Sequence, residues 1–281
     1  MSAVLRQIGR EKLLAAGLIV LCSLALLGLL GPLVIDTSLA EIGSTRARLA
    51  PDAAHLLGTD TQGRDVLAAL VMALPQTLKV GLLAGLLGLG VGGLLGLLAG
   101  YLRGLADVVI RTTADVVMAI PAIAVLVLVA TNVRTMTVGM MALIVAGLAW
   151  MYPTRAIRAQ TLSLREQSYV DVARLNGIGG LRLVMTELLP NLAPYFAASF
   201  VTAVSNAMLA TVGLEALGLG PQNQLTLGMM LYWAQYYGAV LRGMWWWWVP
   251  PVAAIAAIFI GLLAVSAGMD RLLNARARHD G

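Results

Sequence analysis

Residues 80–102 read VGLLAGLLGLGVGGLLGLLAGYL, 23 positions without a charged side chain. The hydrocarbon core of a bilayer is about 30 Å thick, and an α-helix rising about 1.5 Å per residue crosses it in about 20 residues. The run is long and apolar enough to do so. Its glycines form the pairs Gly81-x3-Gly85, Gly88-x3-Gly92 and Gly92-x3-Gly96. In lipid, small residues at that spacing let two helix backbones approach closely. They read as packing faces before any role toward a substrate.

Outward from this run, charges divide the chain into further uncharged stretches at 13–35, 116–133, 135–154, 188–214 and 243–269. Six spans are predicted, which makes an all-α, polytopic membrane protein. Composition agrees. Of 281 residues 59% are apolar and 12% charged, where soluble domains have about 45–50% and about 25%. The mean hydropathy is +0.86. Pro121 should kink the third span, because proline removes a backbone donor. Pro250-Pro251 should interrupt the early part of the sixth. The stretch 216–241 is also uncharged, yet it carries Gln222, Asn223, Gln224 and Gln235 beside Tyr232, Trp233, Tyr236 and Tyr237. It reads as an interfacial excursion, with a seventh span as the alternative. The first run follows Arg6, Arg10 and Lys12. It exceeds the about 7–15 residues of a signal-peptide core, so an anchor is expected.

With the N-terminus cytoplasmic, 13 of the 19 Lys and Arg fall on inner segments and 6 on outer ones. That is the positive-inside bias of six spans with both termini in the cytoplasm. The expected organisation is an N-terminal tail and first span (1–35), an extracytoplasmic loop (36–79), a transmembrane core (80–269) and a cytoplasmic tail (270–281). The core includes a cytoplasmic loop at 155–187 and an outer interfacial segment at 216–242. These loop cations account for the net charge of +5, and no basic-aromatic patch points to nucleic acid.

The cytoplasmic loop leads into Asp171–Asn191, DVARLNGIGGLRLVMTELLPN. Leu162, Leu164, Tyr169, Val170, Val172, Ala173 and Leu175 interleave with Arg158, Arg165, Glu166, Asp171 and Arg174 in an amphipathic helical pattern. Asn176-Gly177 should end that helix in a left-handed cap. Gly179-Gly180 permits a bend, Leu181 to Leu188 suits a second short helix, and Pro190 fits the first turn of the next span. The resulting apolar and basic surface suits a docking partner or anionic lipid.

The chain resembles the second permease subunit of the dipeptide, oligopeptide and nickel ABC importers. His55 to Leu67, HLLGTDTQGRDVL, is similar to that family's LGTD-x-x-GRDV signature. Ala99-Gly-Tyr101 with Asp107 and Asp115 fits its next cytoplasmic turn. Asp171 to Asn191 matches its EAA loop, and Leu214-Glu-Ala-Leu-Gly-Leu-Gly220 its SFLGLG stretch. The resemblance implies a type I importer permease in a bacterial or archaeal inner (plasma) membrane. It would pair with a homologous permease, engage two cytoplasmic ABC ATPases and receive solute from an extracytoplasmic solute-binding protein. Asp171, Ala173, Arg174, Gly177, Leu189 and Pro190 would couple to the ATPases. No cofactor is expected in this chain; ATP and magnesium would bind the ATPases. In two respects the motif departs: Asp171-Val172-Ala173 replaces the acid-alanine-alanine box, and Glu187 stands where isoleucine is usual.

Three residues are candidates for the substrate pathway: Glu215, Thr211 and Trp233. Glu215 is an acid between apolar stretches, which suggests function or a hydrated interfacial place. It replaces a serine common in the family, and Thr211 stands where relatives have an acid. Trp233 and the run Trp245–Trp248 suit an aromatic belt, or a platform for sugar or peptide. A peptide-like solute is expected; oligosaccharide, opine or nickel chelate are alternatives. The chain has no G-x-x-x-x-G-K-[ST] loop, so it cannot itself be the ATPase. A stand-alone secondary transporter would show an inverted repeat and paired intramembrane charges, and a membrane protease a Ser/His pair within the spans. None of these is present in the sequence. His55, His279 and Cys22 are too scattered for a metal site.

Overall fold

The computed structural model describes residues 11–279, with side chains for 11–272. The N-terminal cations Arg6 and Arg10, and the side chains of Arg276, Arg278 and His279 in the expected cytoplasmic tail, lie outside the described residues. Among the described residues the fold is all helix and loop, with one isolated antiparallel bridge between Thr59 and Asp65. The helices are α1 (Lys12–Leu30), α2 (Val66–Leu102), α3 (Gly104–Ala119), α4 (Ala122–Thr131), α5 (Val138–Ala149), α6 (Met151–Arg165), α7 (Ser168–Leu175), α8 (Leu189–Ala216), α9 (Leu227–Tyr236) and α10 (Trp245–His279).

Four helical stretches are long and apolar enough to cross a membrane: Lys12–Leu33, Val66–Leu102, Gly180–Ala216 and Trp245–Leu272. Two more crossings are bent pairs, α3 with α4 at 77° and α5 with α6 at 42°, which brings the total to six. The chain is thus an all-α polytopic membrane protein. α9 has ten residues, so the alternative of a seventh span is not formed.

The structure changes several sequence expectations. α2 begins at Val66, so residues 66–79 are helix rather than loop, and Asp65 caps it by accepting from Ala68 N–H at 2.9 Å. Pro121 breaks its span rather than kinking it. Ile120 before it is extended, as the proline ring requires. α10 runs through Pro250 and Pro251 without interruption. Two prolines near a helix start forfeit only the bonds to the Trp246 and Trp247 carbonyls.

α2 is the central element, and its glycines explain why. They divide between two faces. A Cβ added at Gly85 would lie 2.5 Å from Val204 Cγ2, and Gly81 and Gly93 meet Met208 and Phe196, all on α8. A Cβ at Gly88 would lie 2.6 Å from Ala149 Cβ, at Gly96 2.6 Å from Thr154 O, and at Gly100 2.6 Å from Thr161 Cβ, at the end of α5 and along α6. Gly92 lies against the Trp150 carbonyl. The helices therefore touch along their backbones, which is how lipid-embedded helices gain van der Waals contact. α1 and α10 repeat the device: Gly17 faces the Gly261 carbonyl, and Gly268 faces Leu14.

Candidate functional site

Residues 31–65 and 217–244 sit where α2 begins, and residues 166–180 where α2 ends. The two ends differ in chemistry.

At the α2 C-terminus, α6 does not stop at residue 154. It continues to Arg165, and the expected amphipathic helix is divided at Glu166-Gln167. Packing on the α2 glycines holds residues 154–161 as part of the span. Ion pairs hold the end: Arg158 Nη2 donates to Asp107 Oδ2 at 2.7 Å and its Nε also bonds that carboxylate, while Arg103 pairs with Glu166. Arg165 donates to the Tyr101 carbonyl and lies over the Tyr101 ring. Arg103 and Gly104 both adopt positive φ, 57° and 60°, which turns the chain sharply from α2 into α3.

α7 then stands apart as a short helix. Its buried side, Val170 and Ala173, packs with Leu183, Val184, Leu188 and Leu192. Asn176 caps it, Gly177 follows at φ +78°, and Ile178 N–H returns to the Ala173 carbonyl at 3.0 Å. That is the glycine-terminated cap expected from Asn176-Gly177. Gly180, at φ +52°, makes the bend, and Tyr101 Oη donates to its carbonyl at 3.2 Å.

The second short helix is not separate. Residues 180–216 form one helical run with a widened π turn at Val184–Leu188. The cause is Pro190, whose ring would clash with the carbonyl four residues back and which has no N–H to donate.

The loop residues singled out from sequence divide between anchor and surface. Ala173 is buried and Leu189 half-buried; Asp171, Arg174, Gly177 and Pro190 are exposed. Asp171 accepts from Arg174 at 3.1 Å on the same helix. Beside them Leu175 is 87% exposed, Leu181 77% and Val172 55%. Nothing among the described residues covers this apolar face. Sequence reading did not find the ion pairs of Arg103 and Glu166, because residues 63 positions apart carry no mutual signal.

At the α2 N-terminus, His55 to Leu67 folds into a self-bonded turn. Asp65 Oδ2 meets His55 Nδ1 at 2.8 Å. Thr59 Oγ1 donates to Arg46 O at 2.7 Å and accepts from Leu49 N–H at 2.8 Å. Trp246 Nε1 donates to Thr59 O at 3.2 Å, which ties the turn to α10. Asp60 Oδ1 accepts the N–H of Gln62 and Arg64 at 2.7 and 2.9 Å. Burial still pushes the Asp60 carboxyl above its ordinary value.

The candidate pathway residues do not come together. Glu215 is not at an exposed interface: it is fully buried, its oxygens meet no hydrogen-bond partner among the described residues, and Gly220 and Gly228 leave room for it. Thr211 is buried on the same helix and donates to the Ala207 carbonyl at 2.8 Å. Trp233 lines an open cleft of about 720 Å³ with residues 37, 38, 40–42 and 222–225, Arg64, Met72 and Gln76. In the tryptophan run Trp247 is buried, Trp245 exposed, and Trp246 turned to Thr59. The four rings thus face different ways, and only some could meet lipid.

A helical membrane bundle with an uncovered apolar loop face fits one class, the membrane-embedded component of a transport system. The chain belongs to the family described as binding-protein-dependent transport system inner membrane component, whose profile matches residues 92–279. It is 26% identical over 230 residues to the oligopeptide transport system permease protein OppC of Mycobacterium bovis, covering 81% of this chain and 79% of that one. It is 28% identical over 222 residues to the dipeptide transport system permease protein DppC of Alkalihalophilus pseudofirmus, covering 77% and 71%. A putative peptide transport system permease protein of Brucella abortus is 27% identical over 282 residues, covering 98% and 92%. The chain is a permease subunit of an ABC importer, and not an enzyme.

Proposed function

We propose that this permease pairs with a homologous subunit to form the pathway for a peptide-like solute delivered by a solute-binding protein. Two ABC ATPases drive it, holding the ATP and magnesium. The loop 166–180 faces the cytoplasm with both termini, and the turn 43–65 faces outward. One observation carries the coupling role. The loop is anchored on one side by Val170, Ala173 and Leu183, and exposes Val172, Leu175 and Leu181 on the other. A surface fixed at its base and apolar at its tip suits a protein partner. In this reading the exposed Asp171, Arg174, Gly177 and Pro190 belong to the docking surface, and Ala173 and Leu189 to its support. When the ATPases close, the loop moves as a rigid body and biases the pathway between its inward and outward forms. The peptide assignment is supported by the names of the oligopeptide and dipeptide relatives.

Co-purification of the tagged chain from native membranes, with mass spectrometry of its companions, tests the assembly. A second permease and ATPases are expected; recovery of this chain alone, active without ATP, would overturn it. Gly177→Asp tests the loop. Gly177 has open space around an added Cβ, and aspartate is among the few residues that tolerate its left-handed backbone, so the protein inserts and the change acts by adding a charge to the exposed cap. Uptake should fail while ATP hydrolysis persists. Normal uptake would remove the loop from the mechanism.

A further inference from the structure

The cleft at the α2 N-terminus has a use that the coupling role does not absorb. Its volume of about 720 Å³ falls within the about 300–1,000 Å³ typical of small-molecule sites. Three separate segments build it: the turn at 37–42, the first turns of α2, and the loop 222–225 with Trp233. One cation lines it, Arg64, and one acid, Glu41. The remaining polar wall is uncharged: the hydroxyls of Thr37 and Ser38 and the amides of Gln76, Gln222, Asn223 and Gln224.

Arg64 is unusual in what it lacks. Its Nε is buried with no hydrogen-bond partner, and its guanidinium joins no ion pair among the described residues. Buried polar atoms in folded proteins are nearly always bonded. The neighbouring acid, Asp60, spends Oδ1 on the backbone N–H groups of Gln62 and Arg64 itself. Burial lowers the Arg64 pKa, with Asp60 opposing. A guanidinium presents a planar fork that matches a carboxylate in two parallel hydrogen bonds. Glu41 on the same wall disfavours a polyanion, and Arg64 disfavours a simple cation. A zwitterion satisfies both.

We propose that this cleft receives the carboxylate of a zwitterionic solute, with Arg64 as its partner. The assignment rests on the importer reading and names the chemistry of the cargo at its point of entry.

The test uses the assembled transporter in proteoliposomes, with Asn223→Cys introduced on a Cys22→Ser background and an impermeant maleimide as the reporter. Alanylalanine at millimolar concentration should slow modification, and its C-terminal amide should not. Adding Arg64→Gln should abolish the protection, and Arg64→Lys should keep part of it. Uptake of alanylalanine should fall about tenfold in Arg64→Gln, as for loss of one charged contact, with the ATPases still bound. Equal protection by the amide, or protection that survives Arg64→Gln, overturns the proposal. Protection that the solute-binding protein gives without peptide and that Arg64→Gln abolishes would assign the cleft to an acidic side chain of that protein, and overturns the proposal too. Loss of the ATPases from the purified complex would instead strike the importer reading, whatever the labelling shows.

Discussion

The turn 43–65 and the loop 166–180 are both irregular segments at an end of the same helix, and they are built in opposite ways. The turn consumes most of its own polar groups: Thr59, Asp60 and Asp65 are buried and bonded, Arg64 Nε is left without a partner among the described residues, and Gly58 and Gly63 adopt φ of +63° and +73° so that the chain can close on itself. The loop keeps its polar backbone satisfied by caps but leaves Leu175 and Leu181 uncovered. The turn is a scaffold that leaves Arg64 Nε unpartnered beside the cleft, whereas the loop has apolar surface left over for a partner.

Changes in the turn should therefore register as stability, and changes on the loop tip as assembly. The largest effect is expected from Asp65→Ala. It removes the cap of α2 and the partner of His55, about 2–3 kcal/mol together, read as a lower melting temperature in detergent. Trp246→Phe deletes the single bond to Thr59 O and should cost about 1 kcal/mol by the same measurement. Leu175→Asp should change melting by less than about 0.5 kcal/mol, as expected of an exposed site, yet release the ATPases on purification. A large melting shift in that variant would erase the contrast.

The smallest effect is a pH slope in the turn. Asp60 holds its proton to higher pH in the folded chain than in the unfolded one, where its ordinary value is 3.8. Its contribution is therefore fully present below that value and is lost as pH rises through the raised folded value. Asp60→Asn should flatten this decline in a melting-temperature series, and an unchanged slope would place the titration elsewhere.

Local chemistry was legible in the sequence and tertiary choices were not. Gly177 and Gly180 take the positive φ that their cap and bend need, because that requirement is local. The α2 glycines could be read as packing faces from spacing alone. Which neighbour each face meets depends on α6 and α8, more than fifty positions away. Pro121 and Pro190 were visible as punctuation, yet one produced a 77° break and the other a π turn inside a continuous run. A missing donor is a local fact; how the bundle accommodates it is not. The hydrated place expected for Glu215 failed for the same reason: an acid near a helix end suggests water, and only Gly220 in the following loop and Gly228 on α9 reveal that it is enclosed.

α2 connects both regions. It spans 37 residues, from the turn beside Arg64 to the ion pair of Arg103, a rod of about 55 Å. Its glycines contribute no side chain of their own at the contacts with α6, so only the α6 side, through groups such as Thr161, can adjust there. For a rod of about 55 Å, a tilt of about one degree at the Arg103 end displaces the other end by about 1 Å. That is enough to make or break a hydrogen bond, so under the proposed coupling a movement of the loop would be felt at the cleft as far as α2 stays stiff through Pro75.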